Sequence, residues 1–192
     1  MPVKVGCISL GCPKNLVDSE IMLGLLNSDN YEITVNMPEA EAIIVNTCAF
    51  IGDAKEEAVD AILEASLYKQ TGRLKALIVT GCLAQRYRDE IINEIPEVDA
   101  VLGTGNIPEI ERVIANHIGG MKDQRLFVND PADVDYLDNL RMLSSKGASQ
   151  YLKIAEGCSN HCTYCIIPSL RGPFRSRSIE SIINEGKRLV AS

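Results

Sequence analysis

The sequence contains no tryptophan, and aromatic residues make up only 5% of its 192 positions. A core built from this composition must be mainly aliphatic, and apolar residues supply it at 46%, a proportion usual for globular proteins. No apolar run approaches the roughly 20 residues that a membrane-spanning helix needs, so none is predicted. The first residues show no signal-peptide pattern and enter a strand-like segment directly, so we expect a cytoplasmic location.

Basic residues are scarce in positions 1–149, where 13 Lys and Arg stand against 23 Asp and Glu. Residues 150–192 reverse the balance, with six basic and three acidic residues. An acidic body disfavours nonspecific binding to nucleic acid, which is therefore not expected as a direct substrate. It suits a basic protein or a small molecule as partner, although solubility alone explains such a charge at least as well.

Strand-like and helix-like patterns alternate over the first 120 residues. The predicted strands cover 3–10, 42–45, 75–80 and 98–102. The predicted helices cover 17–26, 53–68, 85–95 and 107–118, and Asn15 is the predicted N-cap of the first. This alternation predicts an α/β fold in which flanking helices cover both faces of a parallel sheet.

The pattern changes after residue 120. Residues 121–149 are acidic, lose helical periodicity and end near Ser144-Ser145-Lys146-Gly147, which predicts a linker between domains at 1–120 and 150–192. In the second domain, 150–155 predicts a strand, 157–177 a loop, and 178–191 a helix capped by Ser178. One strand and one helix cannot bury their own apolar faces, so we expect the chain to be the front part of a longer protein.

Three cysteines fall within eight residues of the loop at 157–165. Cys158, Cys162 and Cys165 have the spacing C-x3-C-x2-C. A closed zinc site needs four ligands and disulfides need pairs, whereas a four-iron cluster held by three thiolates leaves one iron free for a substrate or cofactor. The spacing therefore favours a reactive iron–sulfur cluster. The alternative is a zinc site completed by His161 or by a distant ligand.

Three further cysteines share one setting. Cys12, Cys48 and Cys82 each follow a predicted strand and precede a helix. The carboxyl ends of parallel strands meet at one edge of a sheet, so these thiols are expected to converge, and nearby helix N-termini favour the thiolate. The alternative reading is that they are small buried hydrophobes, which is common for free cysteine. Cys7 lies inside the first strand and is predicted to belong to the core.

Other side chains near the Cys158 loop allow two readings each. Tyr164 fits a ring packed over a cluster, or an ordinary loop aromatic. Arg171, Arg175 and Arg177 predict a positive patch that holds a carboxylate, a phosphate or substrate backbone, or one that is merely solvated.

The Cys158 loop resembles the radical S-adenosylmethionine superfamily, and its context, residues 156–172 and 175–177, resembles the methylthiotransferase branch. The resemblance implies that Cys158, Cys162 and Cys165 bind a [4Fe-4S] cluster that holds S-adenosylmethionine, with Tyr164 close by. It implies that Cys12, Cys48 and Cys82 bind a second [4Fe-4S] cluster that carries the sulfur. It also implies an electron donor such as flavodoxin or ferredoxin.

Within this family, residues 9–20 are similar to members that methylthiolate the β-carbon of an aspartate in the small-subunit ribosomal protein S-twelve. Members that modify tRNA adenosine usually have Gln-Met in place of Pro13-Lys14. A tRNA substrate and a non-catalytic zinc-binding module stay open as alternatives. Family members also carry a complete radical (βα) barrel and a TRAM domain. This chain matches the N-terminal domain and the first βα unit of the barrel, so we expect it to lack a complete active site by itself.

Overall fold

A computed structural model of the protein describes residues 1–121, 125–133, 141–144 and 149–191. The strands are Val3–Ser9 (β1), Tyr31–Ile33 (β2), Ala42–Thr47 (β3), Ala76–Gly81 (β4), Ala100–Leu102 (β5), Leu126–Phe127 (β6), Ala155–Glu156 (β7) and Arg175–Ser176 (β8). The helices are Pro13–Leu25 (α1), Gly52–Thr71 (α2), Cys82–Arg86 (α3), Arg88–Glu94 (α4), Ile110–Ile118 (α5), Ile167–Arg171 (α6) and Ile179–Ala191 (α7). None of the helices in these ranges combines the length and the apolar composition that crossing a bilayer demands.

Six strands form one sheet in the order β2-β1-β3-β4-β5-β6, and every neighbouring pair is parallel. The central strands β3 and β4 are buried along their whole length. The carboxyl ends of all six strands therefore lie on a single edge, which in open α/β sheets is where ligands bind.

Alternate residues of each strand point to opposite faces of the sheet. Ile44 and Ile78 belong to one buried cluster, which includes residues of α1 and α5. Ile43 and Leu77 belong to the cluster on the other face, where Ile62 of α2 packs. The predicted α/β sheet covered on both faces is confirmed.

Cys7 packs against the first of these clusters, as predicted. Burial raises the pKa of its thiol to about 11, against the opposing effect of a hydrogen bond with Ser19. A thiol with this pKa stays protonated at neutral pH and behaves as a small hydrophobe.

Several predicted boundaries differ from the observed ones. The helix α1 begins at Pro13, which suits a first helical position, so the prediction of Asn15 as its N-cap is wrong. The N-cap position belongs to Cys12, and Asn15 is fully buried inside the helix. The helix predicted over 85–95 is two short helices, because the backbone leaves the helical conformation at Tyr87. The short edge strands β2 and β6 were not predicted.

The second part of the chain departs further from expectation. The strand predicted over 150–155 is wrong, since Ala155 alone of that range lies in a strand, β7, which pairs antiparallel with β8. Residues just before β7 lie against α1, where the ammonium group of Lys153 reaches Asp18. The helix α7 forms as predicted, and Ser178 Oγ accepts a hydrogen bond of 3.2 Å from the Ser181 amide.

The predicted linker lies largely outside the described residues, which omit 122–124, 134–140 and 145–148. Its described part includes β6, which extends the sheet by pairing with β5. The domain boundaries stay a prediction.

Candidate functional site

Three cysteine turns meet at one cavity on the carboxyl edge of the sheet. Cys12, Cys48 and Cys82 all line this cavity, which has a volume of about 420 Å³. Cys48 comes directly after β3 and Cys82 directly after β4, and both are buried, whereas Cys12 is exposed. The convergence expected from the strand ends is therefore present in the fold. That these thiols are metal ligands stays a prediction.

Two glycines permit this close approach. Gly11 has a φ of +87°, and a Cβ at that position would lie 2.5 Å from Cys48 Cβ and 3.0 Å from its Sγ. Gly81 has a φ of +91°, and a Cβ there would lie 2.4 Å from the Thr47 carbonyl oxygen. Any other residue would be strained in this left-handed region and would push neighbouring turns apart.

The remaining cavity wall is mostly apolar and comes from both parts of the chain. The Cys48 turn and α2 supply some of the apolar lining residues, and α6, which follows the Cys158 loop, supplies the others. The apolar lining residues are Phe50, Ile51, Ala54, Ile167 and Leu170. Two cationic side chains, Lys14 and Arg171, complete the lining.

Arg171 is 2% exposed and ion-paired, so the reading of the arginine patch as merely solvated is wrong for this residue. Its Nη1 lies 2.5 Å from Asp18 Oδ2 and 3.3 Å from Glu156 Oε2. Arg177 is likewise buried and paired with Glu185. Arg175 donates to the Pro131 carbonyl group. Arg171 and Arg177 are therefore paired with carboxylates of α1, β7 and α7, and Arg175 with a backbone carbonyl.

A buried ionic network joins α1 to the second part of the chain. Lys153 Nζ lies 2.5 Å from Asp18 Oδ1 and 2.9 Å from Glu156 Oε2. Lys14 Nζ lies 3.1 Å from Glu156 Oε1. Burial by itself raises the pKa of Glu156, but Lys153, Arg171 and Lys14 outweigh it and hold that pKa at about 2. Asp18 of α1 is therefore paired with two cations from the second part of the chain, and Glu156 is paired with cations from both parts.

The electrostatics of the cavity itself are set by burial and by Arg171. Burial raises the pKa of the Cys82 thiol, and the nearby Arg171 guanidinium opposes this rise. A cation at this position favours the thiolate form of the buried cysteine.

The Cys158 loop is more open. Cys158 and Cys165 are half-buried and Cys162 is exposed. The Cys165 amide donates to the Cys162 carbonyl at 3.0 Å, and the Cys158 amide donates to the Gly172 carbonyl at 3.1 Å. Tyr164 is 90% exposed. The ligand and cofactor roles of these residues stay predictions.

Within the described ranges, no three His, Cys, Asp or Glu side chains lie close enough together to hold one metal ion. A four-iron cluster places each thiolate on a different iron, so its ligands are spaced more widely than those of a single ion. Soft thiolate donors in a cavity with apolar walls are the donor set of iron–sulfur clusters. The residues around the Cys12 cavity therefore fit a cluster.

The role of Asn15 was missed from the sequence. Its buried amide lies between the cysteine turns and donates to the carbonyl groups of Leu10 and Thr47. The signal in the sequence was its position just before the helical pattern at 17–26, which predicts a helix cap instead.

Comparison with known proteins gives matches over nearly the whole chain. It is 54% identical over 187 residues to the "Ribosomal protein uS12 methylthiotransferase RimO" of Trichlorobacter lovleyi, covering 97% of this chain and 41% of that protein. Proteins with the same name from Acetivibrio thermocellus and Geobacter sulfurreducens are 55% and 53% identical, and the match covers 43% and 42% of their lengths. The chain thus spans about two fifths of the length of these curated relatives.

Residues 4–103 match the family described as "Uncharacterized protein family UPF0004". This match takes in the whole sheet up to β5 and all three cysteines that line the cavity. The chain belongs to the UPF0004 family.

Proposed function

We propose that this protein is a radical S-adenosylmethionine methylthiotransferase that modifies the β-carbon of an aspartate in ribosomal protein uS12. The observation that carries the proposal is the meeting of Cys12, Cys48 and Cys82 in one cavity, in a chain that also has the Cys158 loop. Two separate thiol trios match a reaction that needs both a radical generator and a sulfur carrier.

In this proposal Cys158, Cys162 and Cys165 hold one [4Fe-4S] cluster, and Cys12, Cys48 and Cys82 hold another. Together with S-adenosylmethionine, the clusters supply the radical, the sulfur and the methyl group. The chain's own task is to position the two trios, to exclude water and to keep the thiols available as thiolates. Phe50 and Leu170, which both line the Cys12 cavity, provide an apolar surround.

The position of α6 supports a working relation between the two trios. This helix begins two residues after Cys165, and its residues Ile167, Leu170 and Arg171 line the Cys12 cavity. Thr104 Oγ1 donates to the Leu170 carbonyl at 2.6 Å and ties α6 to the region just after β5. A reaction in which a radical and a sulfur meet at one carbon requires such proximity.

The proposed substrate rests on the relatives, whose names specify uS12, and on charge. An excess of acidic residues in positions 1–149 suits a basic ribosomal protein as partner. We further propose a reducing electron donor such as flavodoxin or ferredoxin and a cytoplasmic location, where seven cysteines without disulfides are stable.

The experiment that tests this proposal is a chimera. This chain replaces the matching two fifths of the Geobacter sulfurreducens protein, to which it is 53% identical. The chimera is incubated anaerobically with S-adenosylmethionine, reductant, sulfide and uS12, and the products are analysed by mass spectrometry. We expect one methylthio group on one aspartate of uS12 and none after Cys48→Ser. A methylthio group on tRNA adenosine, or no product from a correctly folded chimera with both clusters, would refute the proposal.

A further inference from the structure

One asparagine touches all three cysteine turns of the cavity. Asn15 is fully buried in the first turn of α1. Its Nδ2 donates to the Leu10 carbonyl at 3.0 Å, two residues before Cys12. The same Nδ2 donates to the Thr47 carbonyl at 2.9 Å, immediately before Cys48. Two strand ends are thus tied to one amide group.

The oxygen of the same amide faces the third turn. Asn15 Oδ1 lies 4.0 Å from Cys82 Sγ and accepts a hydrogen bond of 2.5 Å from Arg171 Nη2. The orientation of the amide follows from its partners, because an arginine only donates and a backbone carbonyl only accepts. A flipped amide would lose all three of these hydrogen bonds.

The backbone of this residue is held as well. Asn46 Nδ2 donates to the Asn15 carbonyl at 2.8 Å and to Ser19 Oγ at 2.9 Å. Asn46 lies in β3, two residues before Cys48, so α1 is fixed to the central strand at this point. Asn15 is therefore held between the three turns through both its side chain and its backbone.

We propose that Asn15 is the positioning residue that sets the spacing of Cys12, Cys48 and Cys82, and that Arg171 fixes its amide from the second part of the chain. The inference rests on the proposed function to the extent that these thiols are the ligands. It goes beyond that function because the spacing of the three thiols then depends on a residue other than the cysteines and on the docking of α6. Isolated residues 1–120 would lack the arginine that completes this arrangement.

The test uses the full chain in a background where Cys158, Cys162 and Cys165 are all replaced by Ser, so that only the cavity site takes up iron. After reconstitution with ferrous iron and sulfide, a chelator titration measures how tightly the iron is held. Asn15→Asp keeps the size and the acceptor but removes both donors. Because changes to outer-shell partners typically weaken metal binding about 10- to 100-fold, we expect a loss in that range.

The matched control is Asn106→Asp. Asn106 is another buried asparagine on the same edge of the sheet, and its amide bonds Glu109 rather than the cysteine turns. We expect its chelator titration to equal that of the background. In a second background Cys12, Cys48 and Cys82 are replaced by Ser, so that only the Cys158 loop takes up iron. There Asn15→Asp should leave the chelator titration unchanged.

A variant of Arg171 tests the same arrangement if the Asn15 variant does not fold. Arg171→Lys keeps the charge but removes the guanidinium fork that binds both Asn15 and Asp18. It should weaken iron binding at the cavity in the same direction. Arg177→Lys, which alters an equally buried arginine paired with Glu185, should not.

The outcomes separate this inference from the proposed function. Unchanged iron binding in folded Asn15→Asp would overturn the inference and leave the function standing. Equal weakening in both cysteine backgrounds would also overturn it, because it would indicate general destabilisation. A first background that takes up no iron would overturn the ligand assignment, and the inference with it.

Discussion

The buried network around Glu156 makes the stability of this protein depend on pH in a calculable way. The pKa of Glu156 in the folded protein is about 2, compared with an ordinary value of 4.5. Because the folded pKa is the lower one, the stabilisation is complete above the unfolded pKa and is lost as pH falls from about 4.5 toward 2. A difference of this size corresponds to about 3 kcal/mol of unfolding free energy.

Glu156→Gln removes this titration while keeping the shape of the side chain. Urea unfolding measured at a series of pH values gives the slope of stability against pH. We expect the slope of the variant between about pH 4.5 and 2 to be smaller than that of the original chain by up to about 1.4 kcal/mol per pH unit, one proton's worth. At pH 7 the variant should be less stable, because Lys153 and Arg171 each lose a buried partner.

Glu39→Gln is the control for this experiment. Glu39 pairs with Lys4 in an ion pair in which both side chains are substantially exposed, so its loss should change the slope little. Equal slopes for Glu156→Gln and the original chain would refute the reasoning. They would mean that the carboxyl group of Glu156 titrates alike in the folded and unfolded protein.

Three further substitutions test separate parts of the account. Gly11→Ala places a side chain against Cys48 in a left-handed turn, at a backbone cost of about 1–2 kcal/mol. It should lower both the stability of the chain and the cluster content found by iron analysis. Normal values for both would contradict the tight turn. Ile62→Ala leaves a hole between α2 and the sheet, and urea unfolding should show a loss of about 2–5 kcal/mol with cluster content unchanged. Ser178→Ala removes the cap of α7 and should cost about 1 kcal/mol, with faster amide exchange confined to that helix; exchange rates unchanged in α7 would contradict the cap.

The sheet and the convergence of the cysteines followed from the sequence because the signals are local. Runs such as Ile43-Ile44-Val45 predict buried strands, and parallel strands put their carboxyl ends on one edge. A cysteine placed directly after such a run is therefore located without knowledge of its neighbours. Cys48 and Cys82 are the clearest examples.

The contacts between the two parts of the chain did not follow from the sequence. The pairing of Arg171 with Asp18 could not be predicted, because the two residues lie 153 positions apart. Charge patterns read along a chain do not reveal such pairs, and the burial of both groups depends on how α6 docks. Asn15 was mistaken for a cap for a similar reason, since its partners belong to three different turns.

Short edge strands were also missed. The strand β6 has only two residues, too few for a periodic pattern, and it extends the sheet by pairing with β5. The strand predicted over 150–155 does not form as expected, because only its last residue, Ala155, pairs with another strand in the described ranges. The residues at 150–154 have a strand-like pattern, but in the described ranges β8 pairs only with Ala155 and Glu156.

The central claim is that Cys12, Cys48 and Cys82 share one cluster, and iron and sulfide analysis of the anaerobically reconstituted chain tests it most directly. Two four-iron clusters correspond to about eight irons per chain. A chain carrying Cys48→Ser and Cys82→Ser together should fall to about four, whereas Cys7→Ser should keep all eight because Cys7 belongs to the core. A double variant with undiminished iron, or an equal loss from Cys7→Ser, would contradict the account.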